Sequence, residues 1–380
     1  MKLRELVRPC TLAGILLVLP LLNAVAQTNP PGFDDLVLQA TAARDRDDVP
    51  RSIELYQQAL QLKPAWPDGW WFLGSLQYEA DAYGAGRDAL THYLSLVPDA
   101  APAFALRGLC EFETGEYPQS LADIQRGLSL GAAKQPRDEA VLRYDQALLL
   151  TRTGSFEAAL QTYSSLVRGK VRNKAPNPEV LVGIGLAGLR IPLLPKELAN
   201  EKRDMVATAG NAAFVFMSGD ETAAQSAFET LFQHYPTASN AHYLYGTLLY
   251  PADHDQSAAQ FKRELEIDPS NAAAQLMVAW DSLMRNDFSA ALAYAEKADA
   301  EEPALPATQL VLGRALVETG DLKRGIDLLQ KELQLEPDNL EIHFALAKAY
   351  SKSGRKDDAR NERLLCLQIE KSKTTQQVRR

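Results

Sequence analysis

The sequence predicts an all-α chain built by stacking repeated helix pairs, and three observations carry this. Pro269, Pro303 and Pro337 stand 34 residues apart twice in succession, a period typical of a helical repeat. Residues 306–339, PATQLVLGRALVETGDLKRGIDLLQKELQLEPDN, read as two short amphipathic helices: Leu312 and Gly313 lie in the first, Gly320 begins the turn, Ile326 and Leu329 stripe the second, and Pro337 closes it. The composition is 46% hydrophobic, and after residue 26 no apolar run is long enough to span a bilayer. A solenoid grows by stacking, so the 380 residues count repeats rather than globular domains.

Taken in order, the chain opens with Lys2, Arg4 and Arg8, an apolar run from Leu12 to Leu22 broken by Pro20, and Ala24-Val25-Ala26. This is the pattern of a secretory signal peptide over 1–26, cleaved after Ala26; an uncleaved membrane anchor is the alternative. Removing three basic residues and Glu5 takes the formal charge from -9 to -11. An acidic chain argues against nucleic acid as a partner, because phosphate binding draws on clustered Lys and Arg. Cys110 and Cys366 remain, too many repeats apart to bridge, and are expected as buried apolar-like side chains.

Residues 27–32 form a Pro-rich lead. Four repeats are expected over 33–173: Tyr56, Ala59 and Pro64 mark the first, Trp70, Leu73, Gly74 and Pro98 the second, Phe104, Gly108 and Gly115 the third, and Ala147, Gly154, Ala159 and Tyr163 the fourth. Residues 174–204 lack the turn and the aromatic, and Pro192 and Pro195 break them, so they read as a divergent repeat or hinge. Regular units resume over 205–373, where Gly219, Phe228 and Pro236, then Gly246, Phe261 and Pro269, keep the register. A basic tail, 374–380, reads as a solvated end.

These aromatic, Leu, Gly, Ala and Pro positions resemble the tetratricopeptide repeat family, in its secreted or periplasmic form, over nearly all of the chain after the leader. The resemblance implies a right-handed superhelical solenoid of about nine helix-turn-helix repeats and a non-catalytic scaffold that binds an extended peptide or partner protein in its concave groove. The leader, with the lack of any N-x-S/T sequon, points to a bacterial envelope setting, periplasmic or extracellular.

No residue pattern speaks for catalysis, a cofactor or a metal. Gly183 to Gly188 matches G-x-G-x-x-G, but helical repeats flank it, so a close-packed helix is the better reading. The five histidines are scattered, and Asp253-His254-Asp255 falls in a shortened turn. The basic stretch Arg168, Lys170, Arg172, Lys174 reads as a solvated loop, with docking of an acidic partner as its alternative.

In the family, positions two, five, nine and twelve of each first helix line the groove. Carried over, these give Trp71, Tyr78, Phe112, Tyr144, Phe216, His242, Trp280, Arg314, Phe344 and Lys348 as candidate partner-binding residues. The family's carboxylate-clamp positions hold Trp71 and Ser75, Ala105 and Leu109, Tyr144 and Leu148, so that clamp is absent. The aromatics imply a peptide held by ring contacts, with an envelope glycan as the alternative partner and a scaffold subunit of an enzyme complex as the alternative role.

Overall fold

The computed structural model describes residues 31–133, 136–168, 177–303, 305 and 307–378. The leader, residues 27–30 of the lead, the basic stretch beyond Arg168 and the side chains of the tail lie outside the described residues. The molecule divides into two compact units that meet between Asn200 and Glu201, each an all-α stack of antiparallel helix hairpins.

The first unit holds α1 Phe33–Asp45 with α2 Val49–Leu62, α3 Pro67–Glu79 with α4 Tyr83–Leu96, α5 Ala101–Thr114 with α6 Tyr117–Ser129, and α7 Pro136–Arg152 with α8 Phe156–Arg168. A lone helix, α9 Pro178–Gly188, follows, then a connector with a single 3-10 turn at Pro195–Glu197. The second unit pairs α10 Asn200–Met217 with α11 Glu221–His234, α12 Ala241–Leu249 with α13 His254–Ile267, α14 Ala272–Met284 with α15 Phe288–Glu301, α16 Thr308–Thr319 with α17 Leu322–Leu335, and α18 Leu340–Lys352 with α19 Lys356–Val378. The segment 174–204 thus contributes one helix and the start of a second, which runs on to Met217.

Local chemistry sets these boundaries. Asp48, Asp220, Asp253, Asp287 and Asp321 each accept a backbone N–H from the first turn of the helix they precede, satisfying donors that have no partner within the helix. Within hairpins a residue in the left-handed region reverses the chain, and it recurs at the repeat period: Asp47, Asp81 and Gly115 in the first unit, Asn286, Gly320 and Gly354 in the second. Pro64, Pro98, Pro236, Pro269, Pro303 and Pro337 each stand two residues beyond a second helix, which cannot continue through the position before proline. The third hairpin lacks that proline, and Gly131 at φ +79 ends it instead.

The core lies between the two helices of each hairpin and between neighbouring hairpins. A small residue in the first helix (Ala40, Gly74, Gly108, Ala147, Ala279, Gly313) lets a large one from the second (Tyr56, Leu90, Ile124, Tyr163, Leu329) reach its backbone. At Gly108 an added carbon would stand 2.8 Å from Ile124 Cγ1 and 3.1 Å from the Ser120 carbonyl oxygen. Gly183 in α9 answers the same need, because Tyr163 Oη would lie 2.5 Å from its Cβ. Cys110 and Cys366 are both buried and free.

One junction is closed by a buried carboxylate. Glu264 in α13 accepts the backbone N–H groups of Asn240 (2.6 Å), His242 (3.1 Å) and Tyr243 (3.2 Å), capping α12 from the neighbouring helix where Asn240 supplies no side-chain cap. Burial pushes this carboxyl up, and the three N–H groups pull against that shift.

Gly108→Ala should lose about 1–3 kcal/mol of unfolding free energy in urea, the range for an overpacked site. Gly84→Ala is its control, since an added carbon there meets nothing within 4 Å. The control should be neutral or gain up to about 1 kcal/mol. Equal stabilities for the two variants would show that the close approach does not require glycine.

Candidate binding groove

In the second unit the first helices α14, α16 and α18 lie side by side, so their outward residues form one face. In the second unit α14, α16 and α18 enclose a groove of about 360 Å³, with Trp280 and Met284 from α14, Arg314, Val317 and Glu318 from α16, and Glu341, Phe344 and Lys348 from α18 prominent in its lining. Four residues expected from the sequence, Trp280, Arg314, Phe344 and Lys348, therefore share one site.

Its middle is apolar and open: Phe344 is 53% and Met284 50% exposed, although both sit on packed helices. Beside them the Trp280 indole donates to Tyr250 Oη at 2.7 Å, and the Arg314 guanidinium lies 4.8 Å over its ring. Arg314 also stands 3.5 Å from the Glu341 carboxylate. At the other end Lys348 and Lys352 both bind Glu318, Lys352 at 2.8 Å, and Lys352 Nζ donates to the Val317 carbonyl at 3.1 Å. Burial raises the Glu318 carboxyl, but the two ammonium groups outweigh that and hold it below the usual carboxylate range.

The floor is fixed from behind. His343, buried in α18, places Nδ1 2.6 Å from a Glu362 carboxylate oxygen and Nε2 2.9 Å from the Pro337 carbonyl oxygen, tying α18 to α19 and to the preceding turn. Position thirteen adds to the lining, because one helical turn beyond position nine is four residues on. That step leads from Trp280 to Met284 and from Arg314 to Glu318.

The other six expected residues are half-buried and divide between sites. Phe216 meets Tyr245 edge-on, and His242 stacks on Phe232 at 3.8 Å while its Nδ1 faces Gln260 Oε1 at 2.6 Å. In the first unit Trp71 leans on Tyr93, Tyr78 meets Tyr83, Phe112 meets Tyr117, and Tyr144 meets Tyr163. Lys196 lies 5.5 Å over Phe112. Burial holds the Tyr78 and Tyr144 hydroxyls well above their usual range, and the Asp145 charge adds to both.

Other motifs have structural employment. Asp253 caps α13, His254 packs edge-on against Tyr250, and Asp255 pairs with Arg285 at 2.5 Å. Among the described residues no group of His, Cys, Asp and Glu could hold a metal ion, and no helix is long and apolar enough to cross a membrane.

Repeated hairpins with a lined first-helix face define a helical-repeat protein. Tetratricopeptide-repeat models match residues 37–101 and 321–362, one stretch in each unit. Both units thus carry tetratricopeptide repeats, which serve in general terms as scaffolds for protein interaction. Among solved structures it is similar to MamA from Desulfovibrio magneticus RS-1, at 20% identity over 44% of this chain and 96% of that one, TM-score 0.39. It is similar also to the P58(IPK) TPR domain, at 14% identity over 88% and 92%, TM-score 0.29. A tetratricopeptide repeat protein from Parabacteroides merdae stands at 14% over 75% and 98%, TM-score 0.34. No curated protein sequence matches the chain.

One titration follows from α5. Arg107 commits its fork to Asp123 at 2.5 and 2.9 Å, leaving Glu111 at 4.0 Å with a buried oxygen that has no hydrogen-bond partner. Burial first, then the Asp123 charge, pushes the Glu111 carboxyl up to about 7 against the pull of Arg107. A raised folded value means stability present below about 4.5 and lost as pH climbs through about 7. The thermal midpoint should therefore fall between pH 5 and 8, with Glu264 contributing in the same sense. Glu111→Gln should flatten part of that slope and raise the midpoint at pH 8; an unchanged pH profile would contradict it.

Proposed function

We propose that this protein is an exported, non-catalytic scaffold whose second-unit groove takes an extended peptide segment of a partner protein. The observation that carries the reading is the exposed Phe344 and Met284 pair between fixed charges, on packed helices where nothing structural needs them. A peptide backbone can bond to Arg314, Glu341 and Lys348 while an apolar side chain covers Phe344 and Met284. A glycan needs an open ring face, and Arg314 covers one face of Trp280, which favours the peptide. The signal-like residues 1–26 support an envelope setting.

Immobilised protein should capture a partner from envelope extract, and the exposed-residue double variant Phe344→Ala, Met284→Ala should reduce capture at least about tenfold with helicity unchanged. Leu62→Ala, an exposed leucine outside the groove, should leave it intact. Capture that survives the double variant would move the site elsewhere. Mass spectrometry of the exported protein should place its amino terminus at Gln27; a retained leader would support the anchored alternative.

A further inference from the structure

The first and last helices carry complementary surfaces at equivalent places in the repeat. In the first hairpin, the fifth, eighth and twelfth residues of α2 are Ile53, Tyr56 and Leu60, and they turn toward the next hairpin. Tyr56 stacks on Phe72, the sixth residue of α3, at 5.5 Å. The same three places in α19 hold Arg360, Arg363 and Leu367. These side chains are exposed, Leu367 by 54%.

The opposite face belongs to α1. Its sixth residue, in the place of Phe72, is Leu38, 71% exposed, flanked by the exposed Asp35 and Asp45 at places three and thirteen. The two faces carry opposite charge, with Leu38 exposed on α1 and Leu364, Leu365 and Leu367 exposed on α19. Arg360, Arg363 and Asp35 make no ion pair with any described residue.

We propose that α19 of one copy docks on α1 of a second copy as α2 docks on α3, continuing the repeat register from chain to chain. Arg360 and Arg363 then face Asp35 and Asp45, and Leu367 covers Leu38, filling the places of Ile53, Tyr56, Leu60 and Phe72. The contact is head-to-tail and therefore heterologous, so a pair of copies keeps one free face of each kind and further copies can add. Much of its strength is electrostatic between solvent-exposed groups, so it weakens with salt. The groove plays no part in it.

The test is sedimentation velocity of the purified chain against concentration, at low and high salt, beside two variants. Variant one is Arg360→Glu, Arg363→Glu; variant two is Asp35→Lys, Asp45→Lys. All four positions are exposed, and circular dichroism checks that both variants keep their helicity. The expected result is self-association at low salt that falls away as salt rises, weakened at least about tenfold in each variant alone. Mixing the two variants should restore it, because reversed α19 then meets reversed α1. A chain that stays monomeric at high concentration and low salt overturns the proposal. So does association that persists in either variant, or that mixing fails to restore.

Discussion

Everything in this molecule depends on how closely the two helices of a hairpin can approach. A small residue in the first helix, such as Gly74, Gly108 or Gly313, sits under a large one in the second, and an added carbon at these three places would stand 2.7–2.8 Å from Leu90, Ile124 or Leu329. That contact fixes the spacing of the pair, and the spacing of the pair fixes where the next one packs. The first helices then lie next to each other, and the groove of α14, α16 and α18 is the surface they leave outward.

This constraint explains why so much of the fold was legible. Small and large residues, turn residues and prolines recur at 34, and each has one physical task, so the period reads directly from the letters. Asp47, Asp81 and Asn286 do the work of glycine in the turn, which a search for glycine alone passes over. Around 174–204 the period fails, and only coordinates reveal one unpaired helix and an extended connector in place of a hairpin. Glu264 was illegible for another reason: its partners are backbone N–H groups more than twenty residues away, which carry no letter of their own.

The candidate site was legible in part. Projecting positions two, five and nine found Trp280, Arg314, Phe344 and Lys348, because those offsets follow one face of a helix. Position thirteen was not projected, so Met284 and Glu318 went unread. Sequence could not separate rings that line an open groove from rings packed within their own unit. Trp71 against Tyr93 and His242 against Phe232 show the second outcome, which depends on a neighbour supplied by another helix.

The groove's charges are already matched within it. Lys348 and Lys352 hold Glu318, and Arg314 is drawn to both Glu341 and the Trp280 ring. Charges paired at this range cast a reduced field into solvent, so they draw a charged ligand only weakly from a distance. On the proposed function, encounter with this face is left to unguided diffusion and fit, at rates on the order of 10⁵–10⁶ per molar per second. Selection among ligands would then fall to how long each stays, because a newcomer must displace ion pairs already formed within the groove.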